Sequence, residues 1–205
     1  MAKVDFKKEW KDLYRPSQKD FQIVDVPEMT FLKVEGRGDP NLAPEYNAAV
    51  EALYAVAYKV KFFSKQDGRD YVVPPLEGLW WAEDMESFAS ARDKSQWNWT
   101  MMIMTPEWIR EDMIHDARDK VNAKKVLPAL NKLQWEIYQE GLSVQILHLG
   151  SYDEEGPVLA RLHHEWMPSQ GYNFNGLHHE IYLSDPRRVE PDKLKTVLRQ
   201  PIRKI

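Results

Sequence analysis

The stretch that decides the reading is Gly176-Leu177-His178-His179-Glu180-Ile181-Tyr182-Leu183-Ser184-Asp185-Pro186. Ile181 and Leu183 alternate with Glu180 and Tyr182. That is the period of a β-strand, whose successive side chains point to opposite faces, and Asp-Pro stops it. The apolar pair is expected to face a core, with His178, Glu180 and Tyr182 side by side on the other face. A carboxylate beside a phenol on a rigid strand can do acid–base work. The same alternation also describes the solvent side of an ordinary antiparallel strand, so the rest of the chain must decide between the two.

Upstream, residues 143–150 (SVQILHLG) read as a strand. Ser151 and Asp153 can cap a helix over 154–167, buried along Val158, Leu159, Leu162 and Trp166. Residues 171–175 read as a turn. Downstream, Leu194, Val197 and Leu198 suggest one helical turn, and the basic tail RQPIRKI a surface strap.

The first half has a similar order. Residues 1–19 suggest a short helix ended before Pro16, and 21–26 an edge strand stopped by Pro27. Residues 29–35 (MTFLKVE) are a firmer strand. Residues 44–61 are the clearest helix, with Pro44 in its first turn and a stripe of Tyr46, Ala49, Val50, Leu53, Ala57 and Val60 flanked by Tyr54 and Tyr58. Strands are expected at 76–81 (LEGLWW) and 97–104 (WNWTMMIM). Residues 84–94 are polar and carry no assigned element. Thr105-Pro106 suits the start of a helix over 106–121, while 126–139 fits helix or strand equally.

Phe31 to Gly36 ahead of Asp39 and the 44–61 helix parallels Ile146 to Gly150 ahead of Asp153 and the 154–167 helix. Each helix is followed by an extended apolar–aromatic segment. A repeat of roughly a hundred residues points to duplicated α+β halves rather than a short-period solenoid. Such halves could pack with pseudo-two-fold symmetry, one helix on the outer side of each of two sheets and a ligand groove between them.

Composition removes several functions. The 205 residues carry a net charge of −4 with no basic bias for nucleic acid. There is no cysteine, hence no disulfide, thiolate metal site or thiol nucleophile. No signal-peptide core opens the chain and no long apolar run could span a membrane, so a cytoplasmic address is expected. His163-His164-Glu165 and His178-His179-Glu180 are no metal triplets, because adjacent residues diverge on helix and strand alike. No cofactor motif is present, and no Gly-x-Ser-x-Gly nucleophile. Eight Trp, nine Tyr and seven Phe exceed what a core needs and suit a concave site for a flat ligand. Trp80, Trp81, Trp97 and Trp99 lie on two extended segments that could pair, with Tyr172, Phe174 and His178 near the expected mouth. Rings around a carboxylate can hold a cation or turn the carboxylate into a base.

VQILHLGSYDEEGPVLARLHHEWMPSQGYNFNGLHHEIYLSDPRR and the following LKTVLRQPI strongly resemble the GyrI-like family of small-molecule-binding proteins. PPLEGLWW and WNWTMMIM resemble the first half of its stand-alone members. The resemblance implies an α+β fold of tandem strand–helix–strand–strand modules, spanning 29–205 as repeats of about 29–122 and 123–186 plus a C-terminal strap. Residues 1–28 would be an added helix and edge strand. Relatives include effector-binding domains of drug-sensing regulators, where a glutamate matching Glu180 meets cationic aromatic ligands. Stand-alone members are associated with hydrolysis of cyclopropane-bearing DNA-alkylating compounds, where a Glu and a Tyr are implicated; these carry over to Glu180 and Tyr182. No helix-turn-helix pattern precedes the domain, so the regulator's output half is not expected. Two functions follow from the resemblance: a cyclopropanoid hydrolase, or a protein that binds and sequesters flat aromatic compounds without chemistry.

Overall fold

The computed structural model describes residues 3–83 and 93–205. Residues 84–92, most of the polar stretch 84–94, lie outside the described residues. The chain forms β1 (Gln22–Val26), β2 (Met29–Arg37), β3 (Leu76–Trp81), β4 (Asn98–Thr105), β5 (Gln134–Tyr138), β6 (Gly141–Leu149), β7 (Tyr172–Phe174), β8 (His178–Tyr182) and β9 (Lys195–Lys204). Single helical turns α1 (Phe6–Glu9) and α2 (Lys11–Tyr14) open it. The long α3 (Pro44–Gln66) and α4 (Glu111–Asn122) follow. A last helix, α5, runs from Gly156–Ala160 through a π-helical turn, Arg161–Trp166, into Met167–Ser169.

The fold is α+β, and strand–helix–strand–strand occurs twice: β2, α3, β3, β4 and β6, α5, β8, β9, with the short β7 inserted in the second. The strands do not make two sheets with a groove between them. One antiparallel sheet runs β1-β6-β9-β8-β3-β4-β2-β5, and β7 pairs with the far end of β9. The join is β3 against β8, with Leu76 opposite Tyr182, Gly78 opposite Glu180 and Trp80 opposite His178. Left unpaired, each of these strands would present a row of open backbone groups at the centre of the molecule. Pairing them satisfies both.

Strand alternation sorts the core. Trp80, Trp99, Met101 and Ile103 share the face of Glu180, and α3 covers them with Ala49, Leu53, Val56 and Val60, all buried. Burial of each of the Leu, Val, Ile and Met side chains among these contributes roughly 1.5–3 kcal/mol. Leu162 and Met167 of α5 pack with Val144 and Ile202 on that same face. Both helices therefore lie on one side of the sheet, over its two halves, and leave a gap above β8 and β3.

Further sequence expectations fail: Val197 and Leu198, read as part of a helical turn, lie in β9, and the 171–175 turn contains β7. The tail is no strap: β9 is an inner strand between β6 and β8, and residues 196–202 are buried. Its buried charge, Arg199, is satisfied internally. Arg199 donates to Gln145 Oε1, Glu140 Oε2 and the Leu13 carbonyl, partners far away in sequence. Pro201, which offers no N–H to a ladder, falls where β9 exchanges β8 for β7 as its neighbour. Thr105 does not cap a helix at 106. Its hydroxyl donates to the Thr30 carbonyl and accepts from Trp135 Nε1, so β4 runs through it and α4 starts only at Glu111. The ambiguous 126–139 stretch resolves into a short 3-10 turn and the edge strand β5.

Candidate functional site

The gap between α3 and α5 is a cavity of about 940 Å³. Its floor is Trp80, Glu180 and Tyr182 on β3 and β8. One wall is α3, through Tyr46, Val50, Tyr54 and Tyr58. The other is the 151–164 segment, through Tyr152, Leu159, His163 and His164. Trp97, Pro74, Pro75 and the turn after β8 close the ends.

The floor is a hydrogen-bonded chain. Trp80 Nε1 donates to the Tyr182 hydroxyl at 2.9 Å, and that hydroxyl donates to Glu180 Oε2 at 2.8 Å. His178 Nε2 lies 3.3 Å from the other carboxylate oxygen, Oε1. Glu180 and Tyr182 are two residues apart on one strand, so their side chains project in parallel as the alternation requires. The chain also depends on Gly78, directly opposite Glu180. A Cβ there would lie 2.7 Å from Trp80 Nε1, 3.1 Å from the Tyr182 hydroxyl and 3.2 Å from Met101 Sδ. Only glycine leaves room for the indole and the phenol to meet.

Burial, then the charge of Glu180, raises the Tyr182 phenol well above its usual range, so it stays protonated at neutral pH. Tyr46 and Tyr152 are raised for the same two reasons, in the same order. Burial, then the neighbouring His178, lowers His163 to about 4, leaving a neutral imidazole in the wall. The cavity thus presents phenols and indoles around the Glu180 carboxylate of the floor, with Asp153, Glu155 and Asp185 also in its lining.

Of the aromatic residues expected at the ligand, Trp80 and Trp97 line the cavity, edge to face at 5.8 Å. Trp99 does not. It is fully buried between Tyr46, at 5.4 Å, and Gly36, where a Cβ would fall 2.1 Å from the indole ring. Trp81 points to the opposite face of β3 from Trp80. Tyr172 stacks on Trp166, with the Lys204 ammonium over its ring, and Phe174 meets His163 edge-on at 4.9 Å; neither lines the cavity. His178 sits behind Glu180, 4% exposed, and is also outside the lining.

Sequence reasoning missed the tyrosine wall. Tyr46, Tyr54 and Tyr58 recur at intervals of eight and four residues, one flank of the α3 stripe, and that flank was the available signal. Tyr152 and Gly78 carried no comparable signal. Also missed is the buried cluster beneath β8. His179 bonds Glu140 Oε1 and Glu77 Oε2, each at 2.9 Å, and Arg199 bonds Glu140 Oε2 at 3.1 Å. Two carboxylates face two cations, so the cluster is neutral with His179 protonated.

Among the described residues there is no group of three metal-ligating side chains and no helix long and apolar enough to cross a membrane. No protein of curated function matches the chain. Solved structures do. A conserved uncharacterised protein from Listeria innocua is 40% identical, covering 98% of this chain and all of that one, with a TM-score of 0.89. A hydrolase from Listeria innocua is 38% identical over the same shares, with a TM-score of 0.84. The C-terminal domain of EcmrR is 11% identical, covers 91% of this chain and 98% of its own and has a TM-score of 0.56, which is a likeness of fold alone. The profile of the GyrI-like small molecule binding domain matches residues 19–203. On that span, and on relatives of this identity along nearly the whole chain, the protein belongs to the GyrI-like small-molecule-binding family.

Proposed function

We propose that the protein hydrolyses flat aromatic compounds carrying a cyclopropane conjugated to a carbonyl group, by adding water. The observation that carries the reading is the Trp80–Tyr182–Glu180 chain on the floor of an aromatic cavity. The similarity to a Listeria innocua hydrolase supports it.

Glu180 accepts a proton from water. The water oxygen bonds to a cyclopropane carbon, the strained C–C bond breaks, and its electron pair passes to the conjugated carbonyl oxygen, which becomes an oxyanion. The oxyanion takes the Tyr182 proton, and Glu180 returns the water's proton to Tyr182 along their 2.8 Å hydrogen bond. Hydration consumes no net proton, and this pair closes the cycle internally. A phenol kept protonated by burial suits the donor's part. The indole and phenol walls stack on the flat substrate and keep bulk water away.

The test is kinetic. Glu180→Gln keeps shape and most hydrogen bonding but removes the base; turnover is expected to fall about 100- to 10,000-fold. Tyr182→Phe is expected to fall by a similar factor, since it removes the donor and the return path together. Quenching of Trp80 and Trp97 fluorescence by a neutral ligand should change little in either variant. A protein that only sequesters its ligand would convert none, and Glu180→Gln would then lose affinity for cationic ligands alone.

A further inference from the structure

Both oxygens of Glu180 have a neighbour, and only one of these belongs to the reaction written above. Oε2 accepts from Tyr182. Oε1 faces His178 Nε2 at 3.3 Å, with the two side chains 2% and 11% exposed. His178 does not line the cavity, so a ligand over Glu180 has no route to touch it. Its effect on chemistry must pass through the carboxylate.

We propose that His178 is a positioning residue: it holds Glu180 Oε1 from behind, fixing the carboxylate plane so that Oε2 stays on Tyr182 and the carboxylate edge is presented to water. This rests on Glu180 being the base. Three features of the fold support it. His178, Glu180 and Tyr182 alternate along one face of β8, so the imidazole and the phenol approach the carboxylate from its two sides along the strand. His178 stands opposite Trp80 on β3, as Gly78 stands opposite Glu180. The group that donates to Tyr182 and the imidazole that lies beside Glu180 are thus paired across one ladder. Thirdly, the π-helical turn Arg161–Trp166 carries His163, which feels the electrostatic effect of His178. Burial, then His178, lowers His163 to about 4, so that second imidazole is neutral. Such single π turns recur at functional sites.

The experiment compares His178→Phe, which keeps the volume without a polar atom, with His178→Gln, which keeps an N–H donor. The kinetic probe is a flat compound with a cyclopropane conjugated to a carbonyl. His178→Phe is expected to lower kcat about 10- to 100-fold, the scale of a misplaced catalytic group, with KM changed less than about twofold, because the ligand does not touch His178. His178→Gln is expected to recover most of that loss. The second readout needs no turnover. The side-chain carboxyl ¹³C resonance of Glu180, identified by its loss in Glu180→Gln, should move or broaden in His178→Phe and return toward the wild-type position in His178→Gln. An unchanged resonance and kcat in His178→Phe would overturn the proposal, as would a loss expressed in KM alone. If the wild type converts nothing, the catalytic reading of Glu180 fails on the kinetic arm while the resonance still decides whether His178 positions the carboxylate. Should His178→Phe not fold, His178→Ala replaces it, with the same expected and overturning results.

Discussion

Gly78 stands opposite Glu180, and the Trp80 indole and Tyr182 phenol meet over it. Gly78→Ala adds one methyl group inside that contact. The expected result is a fall in turnover of about 10- to 100-fold with the far-ultraviolet circular dichroism of the folded sheet retained; wild-type turnover would mean that the Trp80–Tyr182 contact is not needed. Beneath the site, pH tests the His179 cluster. His179 is buried, yet Glu140 and Glu77 raise it from 6.5 to about 9. A raised folded pKa contributes stability fully below about pH 6.5, lost as pH rises through about 9. Glu140 is held at about 2 against an ordinary 4.5, despite burial, by His179 and Arg199; its contribution is present above about pH 4.5 and lost as pH falls through 2. The interaction is one, on the order of 3 kcal/mol counted once. Thermal melts should therefore be highest between about pH 4.5 and 6.5 and decline toward pH 9, and His179→Gln should lower the plateau and flatten the decline. An alkaline limb identical in the variant would contradict this. At this scale the sequence shows what alternation can show. Glu180 and Tyr182 share a face because period two requires it. The role of His179 was not legible, because its partners Glu140, Glu77 and Arg199 come from strands and turns that only pairing brings together.

Elements were legible where one local pattern dominates. The α3 helix follows its apolar stripe, β3 is bounded as expected at 76–81, and β8 stops before Asp185-Pro186. They were misread where tertiary partners replace local signals. The tail RQPIRKI looks basic and exposed, yet its Arg199 and Gln200 are buried and bonded inside an inner strand. Removing residues 195–205 would uncover one flank of both β6 and β8. The expected outcome is loss of the cooperative thermal transition, whereas trimming a surface strap would leave a melting temperature near that of the full chain. The π-helical turn is a second case. It carries an extra residue past the helical period, so the stripe read as Val158, Leu159, Leu162 and Trp166 splits: Leu162 goes to the core and Leu159 to the cavity.

At the scale of the whole molecule, the repeat was visible in sequence and the single sheet was not, since nothing local says that β3 pairs with β8. The two edge strands add a crossing. β1 precedes β2 but pairs with β6, while β5 precedes β6 but pairs with β2. Each strand–helix–strand–strand unit takes its edge from the chain segment before the other. Separate fragments 1–122 and 123–205 are therefore expected to be unfolded alone and to regain cooperative melting when mixed; independent folding of either would contradict the crossed pairing. The cavity over the β3–β8 junction is likewise shared, with the phenols of α3 from one unit facing Glu180 and Tyr182 of the other. The central claim is that this shared site turns substrate over by adding water. Mass spectrometry decides it most directly: a large molar excess of a cyclopropane conjugated to a carbonyl, incubated with the protein in heavy-oxygen water. The account predicts that many equivalents gain one water carrying the heavy oxygen, and that Glu180→Gln abolishes the gain. Conversion that stops at one equivalent, or proceeds equally in Glu180→Gln, would contradict it.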